Sequence, residues 1–155
     1  MTVNEYLAAH TAGDTACADD NILAVNTGAE GADVGGFAAF AAGTAEVESS
    51  IISDSVRKKN VIGGNAYVKR GAARKFTVTA DRVNGDAAQD MLLSRAVKFG
   101  VYEEGTVEYA YINAATNSGE RGKAVVNVVC DGSGKAGDPA GICIELYGCG
   151  TPVHA

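Results

Sequence analysis

Residues 73–83, ARKFTVTADRV, alternate apolar and polar side chains along their length. Phe76, Val78 and Ala80 fall on one side of an extended chain, and Thr77, Thr79 and Asp81 on the other. A period of two belongs to a strand with one buried face and one wet face. AEVESSII (45–52) and TVEYAYIN (106–113) alternate in the same way, and KAVVNVVCD (123–131) and ICIELYGCG (142–150) are equally β-prone. Turn chemistry separates the later segments, in NAATNSGERG (113–122) and DGSGKAGDPAG (131–141). Strands at this spacing predict a mainly β protein, a sandwich or small barrel with one packed helix.

The helix is expected at NGDAAQDMLLSRAVKFG (84–100). Asp86 is placed to cap it, with Gln89 three residues on as the capping-box partner. Ala88, Leu92, Ala96 and Phe99 recur at helical spacing and predict one packing stripe over 86–99. Arg95 and Lys98 fall in the last turn, where cations suit the dipole, and Gly100 stands at the C′ position.

Two further stretches shape the outline. SDSVRKKNVIGG (53–64) and NAYVKR (65–70) read as a long hairpin punctuated by Gly63-Gly64 and broken at Gly71. Seven of the 13 basic residues lie within 57–75. Residues 1–44 are rich in Gly and Ala, and GAEGADVGGFAAFAAG (28–43) has few strand or helix signals. That stretch is expected to be an irregular arm with one or two short strands, anchored by Tyr6, Leu7, Ile22, Leu23 and Val25. It is either a loose terminus or an arm that docks on a neighbour. The division is therefore an arm over 1–44 and a β-sandwich core over 45–155.

Several chemistries are disfavoured. The 155 residues carry a net charge of −6, which lacks the cationic footprint of nucleic-acid capture. His10 and His154 are the only imidazoles, one near each terminus, so a triad has little to build on. Cys17, Cys130, Cys143 and Cys149 form no C-x-x-C pair and suit reduced thiols better than zinc or a disulfide framework. Glu103-Glu104 and Asp19-Asp20 are adjacent, so on a strand they point to opposite faces and make no acid/base dyad. The G-x-G-K within DGSGKAG (131–137) lies between two β segments, away from the helix start that a phosphate needs. No apolar run reaches the ~18 residues of a membrane span. The MTVNE start lacks the pattern of a signal peptide, so synthesis in the cytoplasm is expected. No catalytic residue, metal or cofactor is expected. The cationic hairpin fits a solvated tip or a positive loop docking on an acidic copy of the chain.

The runs KRGAARKFTVTADRVNGDAAQDMLLSRAVKFG (69–100) and VEYAYINAATNSGERGKAVVNVV (107–129), with GTPV at 150–153, resemble the major tail tube proteins of long-tailed bacteriophages and of prophage-derived particles. The resemblance covers about residues 45–153. It implies two packed sheets flanked by a helix, in a structural virion protein. Six copies form a ring, rings stack into a hollow tail tube, and inner strands join into a barrel around the lumen. A long hairpin reaches the adjacent ring; it maps to 53–71, with Arg57, Lys58, Lys59, Asn60, Tyr67, Lys69 and Arg70 as stacking residues. Terminal arms add contacts between rings, which suits 1–44. The implied partners are the chain itself and the tail terminator, baseplate and tape-measure proteins, with no membrane. Viral DNA would pass through the lumen without being specifically bound. Six copies at −6 each make about −36 per ring, enough to repel DNA from the wall if the acids face inward. Alternation alone nominates Glu46, Glu48, Thr77, Thr79 and Asp81 for that face. The competing expectation is a β-sandwich binding or decoration module on a particle surface, for which an absence of Trp is unfavourable.

Overall fold

The computed structural model describes residues 1–9, 17, 20–41, 43–59 and 62–155. Helix α1 (Val3–Ala9) opens the chain, followed by β1 (Asn21–Val25), a 3-10 turn (Val34–Gly36) and β2 (Ala38–Ala39). Two long strands come next, β3 (Thr44–Lys59) and β4 (Asn65–Asp81). Helices α2 (Ala87–Leu92) and α3 (Arg95–Lys98) and a 3-10 turn (Tyr102–Gly105) lead into β5 (Thr106–Asn113), β6 (Ser118–Ser133) and β7 (Gly141–His154). The strands make one antiparallel sheet in the order β2-β1-β5-β6-β7-β4-β3. The mainly β class with a helical minority is as the alternation predicts.

That sheet closes over itself. In a flat sheet β5 and β4 would stand three strand spacings apart, roughly 14 Å. The Phe76 ring on β4 nevertheless lies 5.2 Å from Tyr109 and 5.1 Å from Tyr111 on β5. Arg74 on β4 likewise pairs with Glu120 on β6 and stacks over Tyr111. The curl brings Leu23, Val25, Phe76, Val78, Val107, Tyr109, Val126, Ile144 and Leu146 into one core. Two layers thus arise from one continuous sheet.

Residues 1–44 differ from the expected irregular arm. β1 lies inside the sheet, paired with β2 on one side and β5 on the other. Leu23 and Val25 enter the main core, while Ile22 and Ala24 face a second cluster with Val3, Phe37, Ala39, Ala110 and Ile112. Burial of side chains such as Leu23 and Phe37 contributes about 1.5–3 kcal/mol each, which holds the segment in place. The anchors Ile22, Leu23 and Val25 are buried, and Tyr6 and Leu7 pack against the second cluster. α1 starts with a capping box: Thr2 N–H donates to Glu5 Oε2 at 2.7 Å and Glu5 N–H to Thr2 Oγ1 at 3.2 Å.

The single helix expected over 86–99 is two short ones. Asp86 caps α2, accepting from Gln89 N–H at 3.1 Å. Gln89 does not return the bond. Its buried amide accepts from Val83 N–H at 2.8 Å and donates to Asp81 C=O at 3.1 Å, tying the helix to the end of β4. Ser94 then caps α3, its Oγ accepting from Val97 N–H at 3.4 Å, and this restart breaks the helix after Leu92. Serine competes for backbone donors in this way. The break shifts the helical phase. Ala88 and Leu92 are buried as predicted, but Val97 takes the core position expected of Ala96, which is exposed. Phe99 is 73% exposed.

Candidate functional site: an uncovered sheet face and a protruding ribbon

Side chains on the side of the sheet away from the main core meet two fates. Over β1 and β5 that side is covered by α1 and Phe37. Over β3, β4 and β7 its side chains stay exposed or half-buried, while on β6 Arg121 lies over the Phe37 ring and Lys123 pairs with Glu30. The register puts Glu46 beside Thr79 and Glu48 beside Thr77, opposite the face that carries Val47 and Val78. Thr77 then neighbours Glu145, Thr79 neighbours Cys143, and Asp81 pairs with Gly141 at the strand end. All five residues nominated by alternation therefore share one face. Whether it lines a channel is a matter of assembly.

Glu145 was not singled out in the sequence, yet it sits in the middle of this face. Its carboxylate accepts from Tyr147 Oη at 2.5 Å and Asn127 Nδ2 at 3.2 Å, with Lys75 Nζ at 3.8 Å. These donors, Tyr147 first, hold its pKa below the usual carboxylate value, and the same bond raises that of Tyr147. Lys75 also lies over the Tyr147 ring at 5.3 Å. On β3, β4 and β7 four carboxylates (Glu46, Glu48, Asp81, Glu145) thus share the face with one cation, Lys75, leaving that part of it acidic at neutral pH, while Lys123 on the same side of β6 is paired with Glu30.

β4 leaves β7 at the Lys75–Tyr147 pair, and beyond it β3 and β4 pair only with each other. Nine residues of β3, Ile51 to Lys59, continue as a two-stranded ribbon, a reach of roughly 30 Å. Ser55 pairs with Lys69, Arg57 with Tyr67 and Lys58 with Ala66. A bulge between Asp54 and Ser55 leaves Arg70 out of register, and Arg70 pairs with Asp54 at 3.0 Å. Gly71 lies within β4 beside this bulge and does not end the strand. The ribbon unites the predicted hairpin residues Arg57, Lys58, Lys59, Tyr67, Lys69 and Arg70; Asn60 lies outside the described residues. Ile51, Ile52 and Tyr67 are exposed on it.

Among the described residues no group of three or more His, Cys, Asp or Glu side chains could hold a metal. His154 is exposed in β7 opposite Glu120, and His10 lies outside the described residues. Cys130 and Cys143 are direct partners across β6 and β7, both as free thiols. Their separation in sequence concealed this, because the pairing follows register shifts in β6. Burial, followed by the neighbouring Cys130, raises the Cys143 thiol pKa.

Fold and face together define a small, curled antiparallel sheet with a protruding cationic ribbon and an open acidic surface. The sequence matches no protein-family model and no curated protein. Among solved structures, the fold is similar to a chain in the tail of an empty gene transfer agent particle, determined by helical refinement with C6 symmetry. That likeness has a TM-score of 0.66 at 14% identity and covers 91% of this chain and 99% of the other. A chain in the virion of a native gene transfer agent particle is similar at a TM-score of 0.61, again at 14% identity and with the same coverage. The likeness is one of fold, and it agrees with the mainly β class expected from the sequence.

Proposed function

We propose that this protein is a non-enzymatic structural subunit of a phage-like tail, assembling into stacked rings of six copies that form a hollow tube. The observation that carries it is the fold shared along 91% of the chain with a tail component from a C6-symmetric particle. The exposed edges of the ribbon add support. A long unpaired edge strand invites aggregation, and closure of neighbouring copies into a barrel removes the hazard. In the tube, the face with Glu46, Glu48, Thr77, Thr79, Asp81 and Glu145 lines the lumen. Its excess of three negative charges per copy becomes about −18 per ring, so that DNA passes without sticking to the wall. The ribbon with Arg57, Lys58, Lys59, Tyr67, Lys69 and Arg70 bridges to the next ring. Tail terminator, baseplate and tape-measure proteins are its further partners, and the tail of a virion, built in the host cytoplasm, is its location.

Sedimentation and negative-stain microscopy of the purified chain at high concentration test the proposal. Hollow tubes or stacked rings are expected. A protein that stays monomeric over the whole concentration range contradicts it.

A further inference from the structure

The turn after α3 displays apolar side chains that the chain itself does not cover. Tyr102 is 92% exposed, Val101 69%, Phe99 73% and Val125 44%. Val101, Tyr102 and Val125 line one open concavity of about 680 Å³. The turn beneath them is tightly built. Tyr102 holds a left-handed backbone (φ 55), and its carbonyl accepts from Thr106 Oγ1 at 2.9 Å. A Cβ on Gly100 would lie 2.2 Å from the Ala96 carbonyl oxygen, and one on Gly105 2.7 Å from that of Gly100. A backbone locked this closely around outward-facing rings is the mark of a preformed contact surface.

Charge identifies what fits it. Glu103 and Glu104 follow Tyr102 directly, and neither forms a salt bridge among the described residues. At the end of the β3–β4 ribbon, Arg57, Lys58, Lys59 and Lys69 likewise form none, and they stand beside exposed Ile62 and Tyr67. Each surface offers apolar side chains together with charge that no described salt bridge engages, of opposite sign. The register also sets them at opposite ends of the fold. Thr106, Val125, Tyr147 and Lys75 form one row across the sheet. From that row the ribbon extends one way, while the Tyr102 turn lies off the start of β5 on the other. Donor and acceptor on opposite ends make a heterologous contact that propagates head to tail.

We infer that the ribbon tip of one copy seats on the Val101–Tyr102 surface of another, with Arg57 and Lys59, which share a ribbon face with Tyr67, facing Glu103 and Glu104. The inference rests on the self-assembly proposed above and names the acceptor for the ribbon. The test is the full-length chain with a benzophenone amino acid in place of Tyr102, irradiated and mapped by mass spectrometry. The expected product is a covalent dimer joined to a peptide within residues 57–70. Reversing the acceptor charge (Glu103→Lys with Glu104→Lys) lowers the dimer yield at least tenfold without changing the far-ultraviolet circular dichroism. Adding Arg57→Glu and Lys59→Glu in the same chain restores it. Cross-links to other segments, no dimer, or a yield indifferent to charge each overturn the inference. Tubes that form without this cross-link sink the docking contact and leave the tube standing; the cross-link without tubes does the reverse.

Discussion

Closure of the sheet over itself makes a quantitative demand on two side chains. Phe76 on β4 and Tyr109 on β5 are both buried and meet edge to face, their planes at 64° and their centroids 5.2 Å apart. Two strands separate β4 from β5 in the sheet order, so the contact exists only because the sheet curls. Replacing either ring by leucine removes the aromatic contact and leaves an imperfectly filled core. An aromatic pair of this geometry is worth about 0.5–1.5 kcal/mol beyond the area it buries. A double-mutant cycle isolates that quantity from the packing losses common to both singles. Urea unfolding of wild type, Phe76→Leu, Tyr109→Leu and the double variant, followed by circular dichroism, is the assay. The coupling energy should exceed ~0.5 kcal/mol, above the scatter seen for sites that do not touch. Strict additivity would mean that the two strands do not meet across the core, and the curled sheet would be wrong.

Other consequences are local. Burial pushes the Tyr109 hydroxyl up to about 12 from its ordinary 10; a raised acid pKa favours the neutral folded form, so its contribution is complete below pH 10 and is lost as pH rises toward 12. Tyr109→Phe should flatten that part of a thermal-stability profile relative to wild type, and an unaltered profile would count against the buried hydroxyl. Leu92→Ala should cost about 2–5 kcal/mol in chemical unfolding, whereas Phe99→Ala should change monomer stability by under ~0.5 kcal/mol; similar losses at the two sites would restore the single continuous helix. A Cβ on Gly119 would sit 2.1 Å from the Tyr111 carbonyl oxygen, while one on Gly71 meets nothing within 4 Å. Gly119→Ala should therefore lose about 1–3 kcal/mol or more and Gly71→Ala almost none, as read by melting temperature.

What the sequence displayed and what it concealed follow from how each element is buried. β4 was legible because one face is wet at Thr77, Thr79 and Asp81 and the other dry at Phe76, Val78 and Ala80. β1 was obscure because α1 covers one of its faces and the main core the other, so Ile22-Leu23-Ala24-Val25 shows no alternation. Thr2-x-x-Glu5 is a capping box readable in the sequence, and it starts a helix inside the stretch expected to be an irregular arm. Asp86 announced α2, but Ser94 fits a helix interior and a new cap equally well in sequence. Only packing decides that Val97 goes in and Phe99 stays out. Alternation nominates Glu46, Glu48, Thr77 and Thr79 within their separate strands, but their shared face needed the β3–β4 register, which runs on through Gly71 where the sequence reads a break. Glu145 needed the β4–β7 register, which joins segments far apart in the chain. Glu103 and Glu104, which make no acid/base dyad, gain meaning only beside the outward side chains of Tyr102 and Val101.

A helical reconstruction of the assembled chain by electron cryo-microscopy is the sharpest test of the proposed six-fold tube and its acidic lumen. Six copies per ring are expected, with Glu46, Glu48 and Glu145 pointing into the channel and each ribbon reaching the neighbouring ring. A polymer with those carboxylates on its outer wall, or a chain that yields no tube at all, would contradict it.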